Sequence, residues 1–167
     1  MKIAVCPGSF DPVTLGHLDI VRRAAGLFDR VIVVVMTNAA KQPLFSREER
    51  IDLLSRAVAE EKLDRVSVDG YDGLLADYIR LRNADVIVKG LRAMSDFEYE
   101  FQMALTNRKL DPAAETVFLT TAPEHLYLSS SLVKQVAGLG GDISEFVPAC
   151  IVPDIMKKIG RDEENDR

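Results

Sequence analysis

The sequence Pro-Gly-Ser-Phe-Asp-Pro-Val-Thr-Leu-Gly-His at residues 7–17 constrains the fold more than any other part of the chain. It follows the apolar run Lys2–Cys6, which predicts a buried strand. It precedes a helical pattern that places four apolar residues on one face: Leu18, Val21, Ala25 and Phe28. A strand, a loop rich in glycine and proline, and then a helix is the arrangement with which open α/β sheets bind phosphate.

The chemistry of this loop also favours an anion site. Gly8 and Gly16 allow the backbone to approach a ligand closely. Thr14 is suited to cap the helix, whose free N–H groups and dipole attract an anion. His17 would then lie in the first helical turn and face the same anion. The alternative is a plain connection with a surface histidine, which a lone Gly-His pair would favour. Thr-x-Gly-His directly after a first strand resembles the signature of the nucleotidyltransferase superfamily, and this resemblance implies a phosphate site.

Strand and helix patterns alternate along the rest of the chain, which predicts a single α/β domain with a doubly wound parallel sheet of about five strands. The further strands are expected at Arg30–Met36, Val66–Val68, Val86–Val88 and Thr116–Thr120. Helices are expected from the Ser46–Glu49 capping box, at Leu74–Ile79, from about Asp96 to Leu110, from Ser129, and, as a last short helix, from Pro153.

Two of these helices carry specific predictions. The helix from about Asp96 is expected to face four residues inward: Phe97, Phe101, Ala104 and Leu105. The helix from Ser129 is expected to bury Leu132, Val133 and Val136. The domain is expected to cover residues 1–160, and the charged residues 161–167 are expected to form a disordered tail.

Composition limits the function classes. The 167 residues are 47% hydrophobic and carry a formal net charge of −5, which argues against a protein that coats nucleic acid or an anionic membrane. The two cysteines, Cys6 and Cys150, form no metal or disulfide framework, so reduced thiols and a cytoplasmic location are expected. No stretch approaches 18 continuous apolar residues, and Met1-Lys2-Ile3 begins a strand, so neither a membrane span nor a signal peptide is predicted.

Candidate site residues, most of them polar, follow four of the predicted strands, at the edge where open sheets bind ligands. They are Ser9, Phe10 and His17 after the first strand, Lys41 after the second, Lys89 and Arg92 after the fourth, and His125, Tyr127 and Ser129–Ser131 after the fifth. A surface lysine is usually a solvated charge, a serine at a helix start is usually a cap, and Asp96, Glu98 and Glu100 suit a solvated helix start. Lys41, Lys89 and Arg92, three cations at one edge of the sheet, together with hydroxyls and backbone N–H groups, instead suit a polyphosphate.

The motifs at 7–17, Lys-Gly-Leu-Arg at 89–92 with Asp-Phe-Glu-Tyr-Glu at 96–100, and Ser-Ser-Ser-Leu-Val-Lys at 129–134 resemble the nucleotidyltransferase superfamily. The middle motif is the most specific, and it resembles the bacterial family that transfers the adenylyl group of ATP to 4′-phosphopantetheine. The resemblance runs from Ile3 to about Ile159. It implies a Rossmann-like dinucleotide-binding fold and the formation of dephospho-coenzyme A and pyrophosphate in coenzyme A synthesis.

The resemblance also implies roles for individual residues. His17 would hold the ATP phosphates and stabilise the transition state. ATP would be bound by Ser9, Phe10, His17, Gly90, Leu91, Arg92, Glu100, His125, Leu126, Tyr127, Leu128, Ser129, Ser130 and Ser131. The acceptor would be bound by Ser9, Lys41, Leu75 and Lys89. Lys89 and Lys134 depart from the pattern, because many relatives have arginine at the first position and the superfamily usually has arginine at the second.

Further expectations concern cofactors and partners. Mg²⁺ would be carried with ATP and not by a protein metal site, and coenzyme A or dephospho-coenzyme A would bind as inhibitor or product. The family assembles as a homohexamer, so the same is expected here. Two alternatives stay open: a related transferase with another acceptor, such as nicotinamide mononucleotide or glycerol phosphate with CTP, and a non-catalytic nucleotide-binding module. The motif at 89–100 argues against the first, and the presence of the histidine and the cations argues against the second.

Overall fold

The computed structural model of the 167-residue chain describes residues 1–38 and 42–165, with side chains at all of these except 94, 95 and 161–165. The strands are β1 (Ile3–Gly8), β2 (Arg30–Met36), β3 (Val66–Tyr71), β4 (Val86–Leu91) and β5 (Glu115–Thr120). The helices are α1 (Leu15–Leu27), α2 (Arg47–Glu60), α3 (Leu75–Arg82), α4 (Met94–Leu110), α5 (Ser130–Gly138) and α6 (Val152–Asn165). Lys41 lies outside the described residues.

The strands form one parallel sheet in the order β3-β2-β1-β4-β5, which confirms the predicted doubly wound fold. The chain builds outward from β1 through β2 to β3, then returns to the other side of β1 for β4 and β5. The strand order therefore reverses between β1 and β4, and sheets of this class bind ligands beyond the carboxyl ends of their strands at such a point.

Side chains of the central strands alternate between the two faces of the sheet. Ala4 and Cys6 of β1 and Val33 of β2 pack in one core cluster, together with apolar residues of α1, α2, α5 and α6. Val5 of β1 and Ile32 of β2 pack on the opposite face, against α3. A fully buried aliphatic side chain contributes about 1.5–3 kcal/mol. The helices that carry the candidate site are therefore held firmly against the sheet.

Three predicted helix starts are confirmed by their caps. Thr14 accepts a hydrogen bond from the His17 N–H, Ser46 accepts one from Glu49, and Ser129 accepts one from Leu132. The loops after β1 and β5 therefore end at fixed helix N-termini, both at the ligand-binding edge of the sheet.

Helix α4 differs from the prediction. Phe97 and Ala104 are half-buried, but Phe101 and Leu105, which were expected to face inward, are 47% and 54% exposed. Apolar residues occur on several faces of α4, since Tyr99 and Met103 are exposed as well. The sheet can cover only one of these faces, so the helical pattern alone does not determine which side is buried.

Helix α6 is longer than predicted. It begins at Val152, next to the expected Pro153, and continues to Asn165, so the backbone of residues 161–165 is helical where a disordered tail was predicted to begin. Charged residues such as Arg and Glu have good helix propensity, which allows the helix to continue without apolar residues. Among the described residues, no helix is long and apolar enough to cross a membrane.

Candidate active site

A cleft of ≈ 680 Å³ opens at the carboxyl ends of the central strands. It is lined by residues that follow four strands, including Ser9 after β1, Thr37 after β2, Gly90 at the end of β4 and Thr121 after β5. The remaining wall comes from α1, α2, α4 and α5. The cleft therefore lies where the strand order reverses, as the sequence predicted.

Most of the predicted site residues meet in this cleft: Ser9, Phe10, His17, Lys89, Gly90, Arg92, Glu100, Leu128, Ser129, Ser130 and Ser131. Five predicted residues do not line it: Leu75, Leu91, His125, Leu126 and Tyr127. Leu75, the first residue of α3, packs against the core cluster between α3 and the sheet. Leu126 and Tyr127 are 48% and 59% exposed. The expected contacts of these five residues with ATP or the acceptor stay predictions, whereas Leu128, which is buried, lines the cleft.

His17 lies in the first turn of α1 and lines the cleft. Its Nδ1 atom accepts a hydrogen bond of 3.0 Å from the Thr14 backbone N–H. A backbone N–H can only donate, so Nδ1 carries no proton and the neutral ring carries its proton on Nε2. The ring packs edge-on against Phe10, with 5.1 Å between the ring centroids. The histidine is thus fixed in both orientation and tautomer, with its N–H on the opposite side of the ring from Thr14.

The charge state of His17 follows from its surroundings. Burial lowers its pKa to about 4, and the positive charges of Arg92 and Lys89 act in the same direction. At neutral pH the ring is therefore uncharged, and it serves as a hydrogen-bond donor through Nε2.

This shift predicts how stability depends on pH. The unfolded chain takes up a proton at His17 near its ordinary pKa of 6.5, whereas the folded chain does so only near 4. Acidification from pH 7 to 4.5 is therefore expected to lower the free energy of unfolding by about 2–3 kcal/mol through His17. Urea unfolding of the wild type and of His17→Gln, whose glutamine does not titrate and suits the capping box, measures this difference. Equal pH dependence in both proteins would contradict it.

Three cations in the cleft are paired with carboxylates. Lys89 Nζ lies 3.2 Å from Glu100, Arg92 Nε lies 3.3 Å from Asp96, and Lys134 Nζ lies 3.0 Å from Asp11. Arg92 also donates to the Leu128 carbonyl at 2.7 Å, which connects the loop after β4 to the loop before α5. The cations are held in place before any ligand arrives.

Asp11 connects three segments around the cleft. Its side chain is 9% exposed, and it accepts hydrogen bonds of 2.9 Å from the backbone N–H groups of Leu44 and Phe45 as well as the bond from Lys134. The loop after β1, the loop before α2 and helix α5 are therefore fixed to one carboxylate. Asp11 was not predicted as a site residue, although its position inside the first motif was a signal.

The three serines at the start of α5 have separate environments. Ser129 caps the helix, Ser130 donates a hydrogen bond of 2.7 Å to the Pro12 carbonyl, and Ser131 is exposed at the cleft. This confirms that one serine caps the helix. The N-terminus of α5 faces the cleft with its backbone N–H groups and a free hydroxyl, an arrangement that favours an anion.

Two glycines of the cleft are required by close packing. A Cβ atom at Gly90 would lie 2.9 Å from Ile20 of α1, and one at Gly8 would lie 2.9 Å from the Phe10 ring. The sequence analysis assigned Gly8 to close approach of a ligand; here the missing side chain makes room for Phe10, whose own φ of 47° is in the left-handed region.

The cysteines are free thiols, and neither suits nucleophilic chemistry. Burial raises the pKa of Cys6 to about 12 and that of Cys150 to about 11. Both side chains are therefore protonated at neutral pH.

In the described part of the chain, no group of three or more His, Cys, Asp or Glu side chains is placed to hold a metal ion.

Six further residues that line the cleft were not predicted from the sequence: Thr37, Asn38, Gln42, Pro43, Arg50 and Thr121. A signal existed for Arg50, because it lies three and four residues before Leu53 and Leu54 and therefore on the buried stripe of α2. The others are polar or loop residues without a periodic pattern.

Comparison with known proteins identifies the family to which the chain belongs. Residues 5–136 match the cytidylyltransferase-like family, and the chain therefore belongs to it. The solved nicotinic acid mononucleotide adenylyltransferase of Plasmodium falciparum, complexed with NaAD, superimposes with a TM-score of 0.68, covering 99% of this chain and 97% of that one. Its sequence identity is 14%, so this likeness concerns the fold alone.

Closer relatives define the family more narrowly. The phosphopantetheine adenylyltransferase of Caldanaerobacter subterraneus subsp. tengcongensis is 56% identical over 95% of this chain and 98% of its own length. That of Alkaliphilus metalliredigens is 54% identical over 95% of this chain and 99% of its own length. The chain is thus a member of the phosphopantetheine adenylyltransferase family.

Proposed function

We propose that the chain transfers the adenylyl group of ATP to 4′-phosphopantetheine and releases pyrophosphate, giving dephospho-coenzyme A. The observation that carries the proposal is His17: a neutral, oriented histidine in a cleft of paired cations, in a chain more than half identical to enzymes of that name. The reaction is reversible, because one phosphoanhydride replaces another.

The chemistry requires no covalent intermediate with the protein. An oxygen of the acceptor phosphate attacks the α-phosphorus of ATP, a new P–O bond forms, and the bond between the α-phosphorus and the bridging oxygen breaks. The electron pair leaves with pyrophosphate. Catalysis then depends on in-line positioning and on stabilising negative charge around the α-phosphoryl oxygens. His17 Nε2–H is the donor suited to that charge.

The two substrates are assigned to different halves of the cleft. ATP is assigned to the half formed by β4, α4 and α5, where Gly90, Arg92, Glu100 and the serines of α5 lie. The acceptor phosphate is assigned to the side of the cleft where Ser9 follows β1 next to β2, with Lys89 of β4 as a further contact. The reacting atoms would then meet beyond β1, next to His17.

Mg²⁺ would arrive with the nucleotide and reduce the negative charge of its phosphates. The cleft carboxylates Asp11, Asp96 and Glu100 each pair with a cation, so their arrangement does not suit a protein-held metal cage. Mg²⁺ commonly binds through substrate phosphates and keeps several of its waters, which fits this site.

Pyrophosphate release tests the function. The purified protein is incubated with ATP, Mg²⁺ and one acceptor at a time: 4′-phosphopantetheine, nicotinamide mononucleotide or nicotinic acid mononucleotide; glycerol 3-phosphate is tested with CTP. Release with phosphopantetheine alone is expected. Release with a different acceptor would identify another transferase, and nucleotide binding without release would identify a binding module.

Lys41 is proposed to contact the acceptor phosphate together with Ser9 and Lys89. Lys41→Ala is therefore expected to weaken phosphopantetheine binding more than ATP binding, because it removes a charge from only one half of the cleft. Titration of the protein with each substrate separately measures both affinities. An equal loss for the two substrates would contradict the division of the cleft.

The enzyme is proposed to act as a homohexamer. The exposed apolar residues of α4, namely Tyr99, Phe101, Met103, Leu105 and Leu110, lie on more than one face of the helix, and subunit contacts would cover them. Analytical ultracentrifugation is expected to give six times the mass of 18.5 kDa. Phe101→Glu combined with Leu105→Glu is expected to produce smaller species, and an unchanged hexamer in that variant would place the contact elsewhere.

We also propose a cytoplasmic location, in keeping with the two free thiols, which cell fractionation would test.

Dephospho-coenzyme A, as the product, and coenzyme A, which shares its groups, are expected to compete with both substrates. Inhibition patterns against each substrate measure that competition.

A further inference from the structure

Arg50 is a buried cation on the acceptor side of the cleft. It lies in α2 and is 4% exposed, among the lowest values for any charged residue described. It nevertheless lines the cleft. Its helix packs into the core through Leu53 and Leu54, so the guanidinium enters the cleft from a fixed support.

The hydrogen bonds of Arg50 leave part of its guanidinium free. Nη1 donates to the Ser9 carbonyl at 2.9 Å, and Nε donates to the Ser46 carbonyl at 3.3 Å. A guanidinium has five N–H donors, and the others have no partner among the described residues. The bond to Ser9 places this free edge at the end of β1.

Arg50 also differs from the other cleft cations in having no carboxylate partner. Lys89, Arg92 and Lys134 each form an ion pair, whereas within residues 1–38 and 42–165 no ion pair involves Arg50. Asp72 is near enough for Arg50 to contribute to its lowered pKa, but its carboxylate hydrogen-bonds to Thr37 and Arg47.

An anion in the cleft can complete the bonding of this side chain. Burial removes most of the water around Arg50, but its unbonded nitrogen is not fully buried and is therefore open to the cleft. A planar guanidinium with a free edge matches a phosphate geometrically, because two N–H groups can bond two phosphate oxygens. The ligand class indicated is a phosphate monoester dianion.

We propose that Arg50 binds the phosphate of the acceptor directly. Through its hydrogen bond to the Ser9 carbonyl, Arg50 also fixes the position of the loop after β1 relative to that phosphate. The identity of the acceptor in this assignment rests on the proposed function. The assignment favours the acceptor over ATP because α2 packs beside β2 and β3, on the opposite side of β1 from the ATP half of the cleft.

The first test uses inorganic phosphate as the probe. Arg50→Met keeps much of the side-chain volume and removes the charge, Arg50→Lys keeps the charge without the fork, and Arg22→Met is the control. Arg22 pairs with Glu61 on the outside of α1, away from the cleft. Phosphate affinity, measured by calorimetry and by the rise in Tm, is expected to fall at least about ten-fold in Arg50→Met and less in Arg50→Lys. The control is expected to match the wild type.

The second test separates binding from structure. In the pyrophosphate assay, Arg50→Met is expected to raise KM for phosphopantetheine at least about ten-fold and KM for ATP less than about three-fold. A purely structural role would lower Tm without phosphate and affect both substrates alike. If Arg50→Met does not fold, Arg50→Lys answers the same question.

The outcomes are distinct. Wild-type phosphate affinity in Arg50→Met, or an equal rise of both KM values, would overturn the inference. If the wild type itself releases no pyrophosphate with phosphopantetheine, the proposed function fails, while the phosphate titration still decides whether Arg50 binds this anion.

Discussion

Replacing His17 with alanine is expected to lower turnover by at least about 10²-fold in a protein that still folds and binds ATP with a modest loss. The Nε2–H of His17 is fixed by the hydrogen bond from Thr14 to Nδ1 and needs no reorientation as charge develops. A donor matched to the transition state affects turnover, whereas one matched equally to the substrate affects affinity. Removing one such preorganised donor costs about 3–4 kcal/mol in activation free energy.

Single-turnover measurements of adenylyl transfer, alongside ATP titrations, check this expectation. The variant also loses the acceptor for the Thr14 N–H, for which a stability loss of about 0.5–2 kcal/mol is expected, so unfolding is measured in parallel. Near-normal turnover in folded His17→Ala would refute the catalytic role. Weaker ATP binding with unchanged turnover would instead make His17 an ordinary phosphate ligand.

Replacing Asp11 with alanine is expected to lower the free energy of unfolding by about 3–5 kcal/mol and to abolish most activity. The change leaves Lys134 without its carboxylate and the N–H groups of Leu44 and Phe45 without their acceptor. An unsatisfied buried donor costs about 1–3 kcal/mol. The two loops and α5 would also lose their common contact, so the acceptor and nucleotide halves of the cleft would no longer be aligned.

Urea unfolding of Asp11→Ala and Lys134→Met tests this account. Lys134→Met removes only the ion pair and leaves the carboxylate bonded to both backbone N–H groups, so a cost of about 1 kcal/mol is expected. A loss in Lys134→Met as large as in Asp11→Ala would show that the ion pair, and not the connection between loops, stabilises this region.

The sheet was predictable because buried parallel strands leave a plain pattern. Arg30–Met36 is an almost continuous β-branched run, and the structure begins and ends β2 at those residues. The prediction ended early at Val68 and Val88, whereas β3 and β4 continue through Gly70 and Gly90. Glycine and charged residues have low strand propensity, so pairing with neighbouring strands, which the local sequence does not report, decides those ends.

The site was predictable where it depends on topology. The carboxyl ends of parallel strands meet at one edge, which is why Ser9 after β1, His17 at the start of α1 and Lys89 near the end of β4 line the same cleft. It was not predictable where it depends on the side-chain direction of a single loop residue, as for Tyr127, or on contacts distant in sequence. The bond from Arg50 to Ser9 joins residues separated by 41 positions, and that from Lys134 to Asp11 joins residues separated by 123. No local pattern encodes either.

The ion pairs of Lys89, Arg92 and Lys134 with carboxylates have a consequence for release of products. A phosphate that binds one of these three cations competes with its resident carboxylate, so its affinity there is a difference between two ion pairs and not the full strength of one. The protein's own acidic groups thus act as permanent intramolecular competitors, present at constant effective concentration. They limit how tightly pyrophosphate is retained after bond cleavage, and they make binding less sensitive to salt than three free cations would be. The slope of log Kd against log salt concentration measures this exchange.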